Sequence, residues 1–173
     1  MADTRTESVT VRPERGADRT TIHALNAAAF PTEAEANLVD ALRDDPAYIG
    51  LVAATTDGII GHVAMSPMQA PVGAFGLAPL AVASGWQRRG VGGQLVRAAI
   101  ESVRANGGSA VFVLGDPAYY GRFGFRAASH WQLASEYEAH GVPAEAFMAV
   151  ELTPGALDGT PTLVRYHAAF AAL

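Results

Sequence analysis

The sequence has no cysteine, no long apolar run and no excess of basic residues, and each absence excludes a class of protein. Without cysteine, disulfides, thiolate metal sites and a cysteine nucleophile are ruled out. The formal net charge of -5 argues against nucleic-acid binding through the overall field of the protein, since phosphate binding needs concentrated basic residues. No segment approaches a membrane span, and Met1 to Thr10 lacks the apolar core of a signal peptide. The sequence therefore predicts a bacterial-type cytoplasmic protein with no membrane or nucleic-acid partner.

Several nucleotide and metal motifs are also missing. The five histidines lack ligand spacing such as His-x-x-x-His, so we predict no metal site. The Gly-x-x-x-x-Gly-Lys-Ser/Thr string of a P-loop does not occur. A Rossmann fingerprint would need a third glycine after Gly90-Val91-Gly92, but Leu95 stands in that place. Asp116 follows the next predicted strand and could still act as the ribose-binding acid, so a Rossmann site stays open as an alternative.

The order of the predicted elements indicates a single domain of the α/β class. The chain has 173 residues, half of them apolar, which suffices for one well-filled core. Val9 to Arg12 alternates as a strand does, and Asp57-Gly58 between two apolar runs is a strong hairpin signal. Leu77 to Leu114 contains a strand, a helix and a buried strand, typical of a parallel βαβ unit. We therefore expect a mixed sheet, mostly antiparallel with one parallel βαβ unit, flanked by helices.

Shorter elements complete the predicted order. One predicted helix precedes a second, which covers Thr32 to Asp44. Thr32 is the predicted cap of this second helix. Glu33 and Glu35 fall in its first turn, where the helix dipole favours acidic side chains. Pro117 to Phe123 suits a short helix and Ala146 to Leu152 a closing strand. Residues 163–173 read as a terminal strand or helical fragment.

The most informative segment runs from an apolar strand into a glycine-rich helix start. Gln94 to Val103 carries an apolar stripe at helical spacing, so the free amides of a helix N-terminus fall at Arg89 to Gly93. Glycines let phosphate oxygens approach the main chain, and the helix dipole favours negative charge at this point. Glycines and cations meet here: Arg88, Arg89, Gly90, Gly92 and Gly93. A tight turn with a solvated arginine pair is the purely structural alternative, but the segment favours a phosphorylated ligand.

Two motifs in order resemble one known family. Gln87-Arg88-Arg89-Gly90-Val91-Gly92 matches the Gln/Arg-x-x-Gly-x-Gly/Ala motif of the GNAT N-acetyltransferase superfamily. Tyr119-Tyr120-Gly121-Arg122-Phe123-Gly124-Phe125 resembles the family's later aromatic-Tyr-x-x-x-Gly-Phe element. The compact approach from Leu114 to Tyr120 resembles a bacterial subgroup of that superfamily. The resemblance implies a GNAT-like domain over residues 1–152, with residues 153–173 as a C-terminal extension packed on it.

The resemblance also implies roles for individual residues. Seven consecutive residues would hold the pyrophosphate of the cosubstrate acetyl-CoA: Gln87, Arg88, Arg89, Gly90, Val91, Gly92 and Gly93. Leu80, Ala81 and Val82 would offer main-chain groups to the pantetheine arm, with the Val82 amide near the thioester oxygen. Tyr120 would be the general acid that protonates the departing thiolate. A tyrosine pair that merely packs at a helix end is the structural alternative.

The acceptor and the base are not specified by the sequence. His62 lies with Ile60 and Ala64 in the pattern of one strand face, but a lone histidine there is more often a hydrogen-bonded structural residue, which we favour. Glu33 and Glu35 fall where the family's early helices line the acceptor site, although a solvated carboxylate is the simpler interpretation. Water could also accept the proton. We expect the acceptor site among residues 30–48 and beyond Ser129, with Phe30 and Tyr48 as pocket or core residues.

Two classes of function follow from this. The first is acetyl-CoA-dependent transfer to a primary amine of a small molecule or a protein terminus, by direct attack in a ternary complex. The alternative is a non-catalytic acyl-CoA-binding or sensory module, which would keep Gln87 to Gly93 but would not need Tyr120. A homodimer, formed through an edge strand or through residues 153–173, is compatible with either class.

Overall fold

A seven-stranded sheet between helices forms the centre of the computed structural model, which describes residues 7–160 and 163–173. The first six residues of the predicted N-terminal segment, and residues 161–162 of the predicted extension, lie outside the described residues. The strands are β1 (Thr10–Pro13), β2 (Ile49–Thr55), β3 (Gly58–Pro67), β4 (Ala74–Val82), β5 (Ala110–Leu114), β6 (Arg126–Ala127), β7 (Ala134–Ser135), β8 (Phe147–Glu151) and β9 (Leu163–Val164). The helices are α1 (Arg19–Ala29), α2 (Ala34–Leu42), α3 (Val91–Ala105) and α4 (Pro117–Tyr120), joined by short 3₁₀ turns.

The order of strands in the large sheet is β1-β2-β3-β4-β5-β8-β6, and β7 and β9 form a separate parallel pair. Among the described strands of the large sheet, β4 and β5 are the one parallel pair, and the other neighbours are antiparallel. The helix α3 connects β4 to β5, as the predicted βαβ unit requires. The predicted mixed α/β sheet is therefore confirmed.

The core lies on both faces of the sheet because helices cover each of them. On one face the apolar residues of α1 and α2, among them Ile22 and Val39, pack with Phe112 and Phe147 of the sheet. On the other face α3 buries its predicted stripe, including Leu95, against the sheet. Successive residues of the buried strand β5 alternate between the two clusters, which is the period that a strand dictates.

Several element boundaries differ from the sequence prediction, two of them beside turns. The helix α2 spans Ala34–Leu42 rather than Thr32 to Asp44, and its N-cap is Glu33 rather than Thr32, whose hydroxyl accepts a hydrogen bond from the Ala34 amide at 3.2 Å. The hairpin joins β2 to β3 as predicted, but the loop residues are Thr56-Asp57, and Gly58 already begins β3 with a φ of +141°. Both differences concern the local conformation of a turn, which a residue pattern defines only to within a few positions.

A bulge in β3 changes which side chains share a face. The register between β2 and β3 shifts at Ala53/Ala54, so that Ile60 is an extra residue in β3. Ile60 packs in the α3 cluster, whereas Ala64 packs in the cluster of α1 and α2. The predicted common face of Ile60, His62 and Ala64 is therefore wrong, because strict alternation does not survive a bulge.

The strands β4 and β5 diverge after a short paired stretch. Their pairing covers only Ala74–Gly76 against Ala110–Phe112. Further along β4 the register against β3 also shifts, and Pro79 lies within that shift. A proline has no N–H to give to a ladder, and Pro79 accordingly occupies an interrupted position. The divergence leaves a gap between the two central strands at the end that leads to α3.

The segment after β8 returns to the core. Leu157, Tyr166 and Phe170 are buried in the cluster that α1 and α2 form with the sheet. Residues 163–173 contain both alternatives that the sequence left for this region, the strand β9 at Leu163–Val164 and a 3₁₀ turn at Ala168–Ala172. In the part of the chain that the structure describes, no helix has the length and apolar character needed to cross a membrane.

Candidate active site

The start of α3 presents main-chain amides that the helix itself does not use. The Gln94 amide donates to the Gly90 carbonyl at 3.1 Å and closes the first turn. The amides of Val91, Gly92 and Gly93 therefore have no acceptor within the helix. Gly90 caps the helix with a φ of +85°, a left-handed conformation that favours glycine. The predicted anion cradle is present as a piece of local geometry.

The bend before α3 is held by side chains and by an unusual backbone. The Gln87 Nε2 donates to the Val82 carbonyl at 3.1 Å, which ties the bend to the end of β4. Arg88 has a φ of +57°, a left-handed conformation that costs a residue with a Cβ about 1–2 kcal/mol. Arg89 stacks over Trp86, with its guanidinium 4.1 Å from the ring centroid. Arg88 and Arg89 are exposed, so their charges face solvent beside the free amides.

A basic cavity of about 440 Å³ opens next to this helix start. Sequence reasoning predicted Arg88 in it but missed Arg97 and Arg122. Arg97 lies one helical turn after Gly93, so helix spacing could have revealed it. Arg122 comes from the turn after α4, and nothing in the pattern places it here. The basic cavity is lined by Arg88, Gly90, Gly93, Arg97, Tyr119, Arg122 and Phe123.

Aromatic rings hold the two unpredicted arginines in the basic cavity. The Arg97 guanidinium lies 5.0 Å from the Phe123 ring centroid, and that of Arg122 lies 4.5 Å from the Tyr119 centroid. The Tyr119 hydroxyl closes over Gly92, because a Cβ placed there would lie 2.7 Å from this oxygen. A side chain at this position would therefore displace the Tyr119 hydroxyl.

An apolar cavity of about 530 Å³ lies where β4 and β5 diverge. It brings together the two regions in which we expected the acceptor site, namely residues 30–48 and the chain beyond Ser129. The lining residues are Phe30, Glu35, Leu38, Leu77, Ala78, Pro79, Leu80, Leu114, Tyr120, Tyr137, Val142, Tyr166, Phe170 and Leu173. Tyr137, Tyr166 and Phe170 were not predicted, because their approach depends on how the last segment folds back.

Tyr120 lies at the wall between the two cavities. Its neighbour Tyr119 lines the basic cavity, Tyr120 itself lines the apolar one, and their rings meet edge to face with centroids 5.0 Å apart. Burial, reinforced by Tyr119, raises the pKa of Tyr120 to about 12, so the phenol stays protonated at neutral pH. Gly115 makes room for this ring, since a Cβ there would lie 2.4 Å from Tyr120 Cε2.

Asp116 has a structural role that excludes the Rossmann alternative. Its carboxylate accepts the Ala118 amide at 2.8 Å and caps α4, with Pro117 at the first helical position. The carboxylate that would bind a ribose is therefore occupied in orienting the helix that carries Tyr120. The four antiparallel strands β1 to β4 also differ from a dinucleotide-binding half, which is parallel.

The backbone of β4 directs the Val82 amide towards the gap. The amide of the next residue, Ala83, donates to the Ile60 carbonyl of β3 at 2.9 Å. Successive amides of a strand point to opposite sides, so the Val82 N–H points away from β3, towards the side on which β5 has diverged. Leu80 also lines the gap, whereas the side chain of Ala81 is buried.

His62 belongs to a buried polar cluster rather than to either cavity. Asn26 Nδ2 donates to His62 Nδ1 at 3.2 Å, so Nε2 carries the proton and donates to Glu14 Oε2 at 3.0 Å. Glu14 also accepts from Arg43 Nε at 2.7 Å and from the Tyr48 hydroxyl at 3.0 Å. With every ring nitrogen engaged, the structural interpretation of His62 that we favoured fits this cluster, and Tyr48 is part of it.

The cluster predicts a loss of stability in acid. Burial lowers the pKa of His62 below its ordinary value, so below about pH 6.5 the unfolded chain binds protons that the folded chain does not. We expect the free energy of unfolding to fall as the pH drops from 7 to 5, and to fall less in His62→Gln. Urea unfolding at each pH measures this, with the exposed His130→Gln as the control. If the free energy of unfolding falls equally with pH in wild type and in His62→Gln, the assignment of His62 as a buried residue with a lowered pKa is contradicted.

The two candidate acids on the early helix have different positions. Glu33 is exposed and lies outside the apolar cavity. Glu35 lines the cavity, and its Oε2 atom is buried without a hydrogen-bond partner. The expectation that Glu35 is simply a solvated carboxylate is therefore wrong for that oxygen. Phe30 also lines the cavity, so of the two predicted aromatic candidates, Phe30 and Tyr48, it is the one at this site.

Among residues 7–160 and 163–173, no group of three or more acidic, His or Cys side chains could hold a metal ion.

Comparisons with known proteins agree with this geometry. The sequence model of the acetyltransferase (GNAT) family matches residues 19–125. The uncharacterised N-acetyltransferase YhbS of Escherichia coli strain K12 is 39% identical over 165 residues, covering 92% of this chain and 97% of that protein. The crystal structure of YhbS from Escherichia coli with CoA has a TM-score of 0.88 at 38% identity, covering 95% of this chain and 93% of the other. A GNAT family acetyltransferase from Brucella melitensis with acetyl-CoA gives a TM-score of 0.77 at 30% identity, covering 95% of this chain and 99% of the other.

Proposed function

Because the chain belongs to the GNAT acetyltransferase family, we propose that it transfers the acetyl group of acetyl-CoA to a primary amine of a small molecule or protein terminus, by direct attack in a ternary complex. The observation that carries this proposal is the pair of cavities on either side of Tyr119-Tyr120, one basic beside free helix amides and one apolar between diverging strands. The first suits the phosphates of CoA, and the second suits a thioester and its acceptor. In this proposal residues 1–152 are the acetyltransferase domain, and Tyr166, Phe170 and Leu173 of the extension over residues 153–173 complete the wall of the apolar cavity.

The residues at the start of α3 bind the pyrophosphate in this proposal. The amides of Val91, Gly92 and Gly93 donate to phosphate oxygens, and the helix dipole adds to the attraction. The bend formed by Gln87, Arg88, Arg89 and Gly90 holds these amides open and supplies positive charge. Arg97 and Arg122 extend that charge along the basic cavity.

The end of β4 and Tyr120 perform the chemistry. Leu80 and Ala81 lie along the pantetheine arm, and the Val82 N–H donates to the thioester oxygen, which gains charge when the amine attacks. A donor aimed at that oxygen stabilises the tetrahedral state more than the planar thioester, and this difference lowers the barrier. Tyr120 gives its proton to the sulfur as the C–S bond breaks.

The protons balance across the reaction. The acceptor ammonium first loses one proton to solvent or to a group of the protein, and its lone pair then forms the C–N bond. Tyr120 donates its proton to the departing thiolate and regains one from the nitrogen of the collapsing intermediate. The products are the N-acetylated amine and CoA with a free thiol, and one proton is released.

Binding of acetyl-CoA tests the first half of the proposal. We expect calorimetry to show acetyl-CoA binding by the wild type. The double variant Arg88→Ala/Arg89→Ala should bind about 30–700-fold more weakly, since two charge-assisted contacts worth roughly 1–2 kcal/mol each are lost. Arg104→Ala is the matched control, because Arg104 pairs with Glu101 at the far end of α3. Absence of acetyl-CoA binding by the wild type would contradict the proposal.

Turnover separates the two classes of function. A thiol-release screen over amines, amino acids and peptides should reveal an acceptor whose acetylation depends on acetyl-CoA. A protein that binds acetyl-CoA but acetylates none of them would instead be an acyl-CoA-binding or sensory module. The buried, protonated Tyr120 in the wall of the apolar cavity favours the enzyme, since a binding module has no use for an acid at this position.

A further inference from the structure

Two buried polar atoms in the wall of the apolar cavity have no hydrogen-bond partner among residues 7–160 and 163–173. They are Oε2 of Glu35 and the hydroxyl of Tyr166, whose residue is 2% exposed. An unsatisfied buried group destabilises the folded protein, and does so more strongly when it is charged. Native proteins satisfy nearly all such groups, so two orphans in one cavity need an explanation. A ligand that supplies hydrogen bonds inside the cavity provides one.

The charge of the cavity indicates the sign of that ligand. Among the described residues that line it, Glu35 is the only one with a charged side chain. A carboxylate in an apolar wall attracts a cation strongly, because the local dielectric is lower than that of water. An ammonium group matches it best, since its N–H donors make short charge-assisted hydrogen bonds to carboxylate oxygens. A second carboxylate on the ligand would be repelled.

The rest of the wall indicates what carries the ammonium. Around Glu35 the wall is formed mainly by apolar and aromatic side chains, among them Phe30, Leu38, Tyr137 and Phe170. Such a wall stabilises a hydrophobic body through burial and gains further from ring contacts with an aromatic one. Among the described residues that line it, this wall offers no cationic side chain to an amino-acid carboxylate.

We infer that Glu35 binds the ammonium group of the acceptor, and that this acceptor is a small amine with an apolar, aromatic body, an inference that rests on the proposed function. The Tyr166 hydroxyl supplies a neutral hydrogen bond to the bound acceptor within the same cavity. Glu35 thereby determines specificity, while Tyr120 remains the acid of the transfer step.

Phenethylamine and phenylalanine test the inference, since they share the ring and the amine and differ by one carboxylate. The wild type should bind phenethylamine in calorimetry and acetylate it with a kcat/KM about 100-fold above that for phenylalanine. Glu35→Gln should raise the Kd and KM for phenethylamine about 10–100-fold, with a smaller effect on kcat, and should reduce the preference over phenylalanine at least about tenfold. The matched control is Glu33→Gln, which removes an exposed carboxylate outside the cavity and should change neither value.

Tyr166→Phe provides a second readout that separates binding from folding. Because the hydroxyl has no hydrogen-bond partner among the residues that the structure describes, its removal should leave the free energy of unfolding unchanged or raised. The KM for phenethylamine should nevertheless rise about fivefold, the effect of one neutral hydrogen bond. A destabilised Tyr166→Phe protein with an unchanged KM would show that the hydroxyl is structural.

The outcomes also distinguish the inference from the proposed function. Calorimetry with phenethylamine alone does not involve acetyl-CoA, so it reports on Glu35 even if the cosubstrate fails to bind. An unchanged phenethylamine Kd in Glu35→Gln overturns the inference. Acetylation of peptide N-termini in preference to phenethylamine overturns the assigned acceptor class and leaves acetyl transfer intact.

Discussion

Tyr120→Phe is expected to lower kcat by about 10²–10⁴-fold at saturating acetyl-CoA and amine, the range for loss of a general acid. The phenol is buried and its pKa is raised to about 12, so it is protonated whenever a thiolate leaves. The variant keeps the ring that contacts Phe125 at 5.6 Å between centroids, so its fold and its affinity for acetyl-CoA should persist. Steady-state kinetics, with calorimetry for acetyl-CoA, measure both quantities.

Tyr119→Phe is the matched control for that experiment. Tyr119 belongs to the basic cavity, so removal of its hydroxyl should alter the KM for acetyl-CoA and leave kcat within about threefold. The two tyrosines are adjacent and differ in the cavity that each one lines. An unchanged kcat in Tyr120→Phe would remove Tyr120 from the acid role and favour water or another donor.

Glu14→Gln is expected to lower the free energy of unfolding by about 3 kcal/mol at pH 7, a melting-temperature decrease of roughly 6–12 °C. Burial by itself would raise the pKa of Glu14, but hydrogen bonds from His62 and Arg43 outweigh it and lower the pKa to about 2. The neutral amide would leave the guanidinium of Arg43, 7% exposed, with a weaker partner. Thermal and urea unfolding measure the loss.

The sign of the pH dependence follows from the lowered pKa of Glu14. Its stabilisation is complete above the unfolded value near 4.3 and is lost as the pH falls towards 2, so Glu14→Gln and wild type should converge in strong acid. Glu101→Gln is the control, because Glu101 pairs with Arg104 on the exposed side of α3 and should cost less than about 1 kcal/mol. Equal losses of unfolding free energy in Glu14→Gln and Glu101→Gln would show that burial of this cluster contributes nothing to the stability of the fold.

The contrast between His62 and Tyr120 shows where sequence reasoning was adequate. Tyr120 stands in a motif whose neighbours lie within ten residues, so its position at a helix end followed from local spacing. His62 is held by Glu14 and Asn26, which lie 48 and 36 positions away, and the bulge at Ile60 separated that residue from the face on which we had placed it with His62. Its surroundings depended on long-range packing that no residue pattern records.

By itself the sequence determined the mixed sheet with its βαβ unit, the glycine-rich start of α3 and the short helix at Tyr120. Each of these depends on local rules: strand and helix periodicity, glycine backbone freedom and the position of unused amides in a first helical turn. Only the tertiary structure decided the walls of the two cavities. Arg122 reaches the basic cavity, and Glu35 and Tyr166 meet in the apolar one, because β4 and β5 diverge and the last segment folds back into the gap. Such approaches are set by the packing of whole elements, and packing joins residues that the chain keeps far apart.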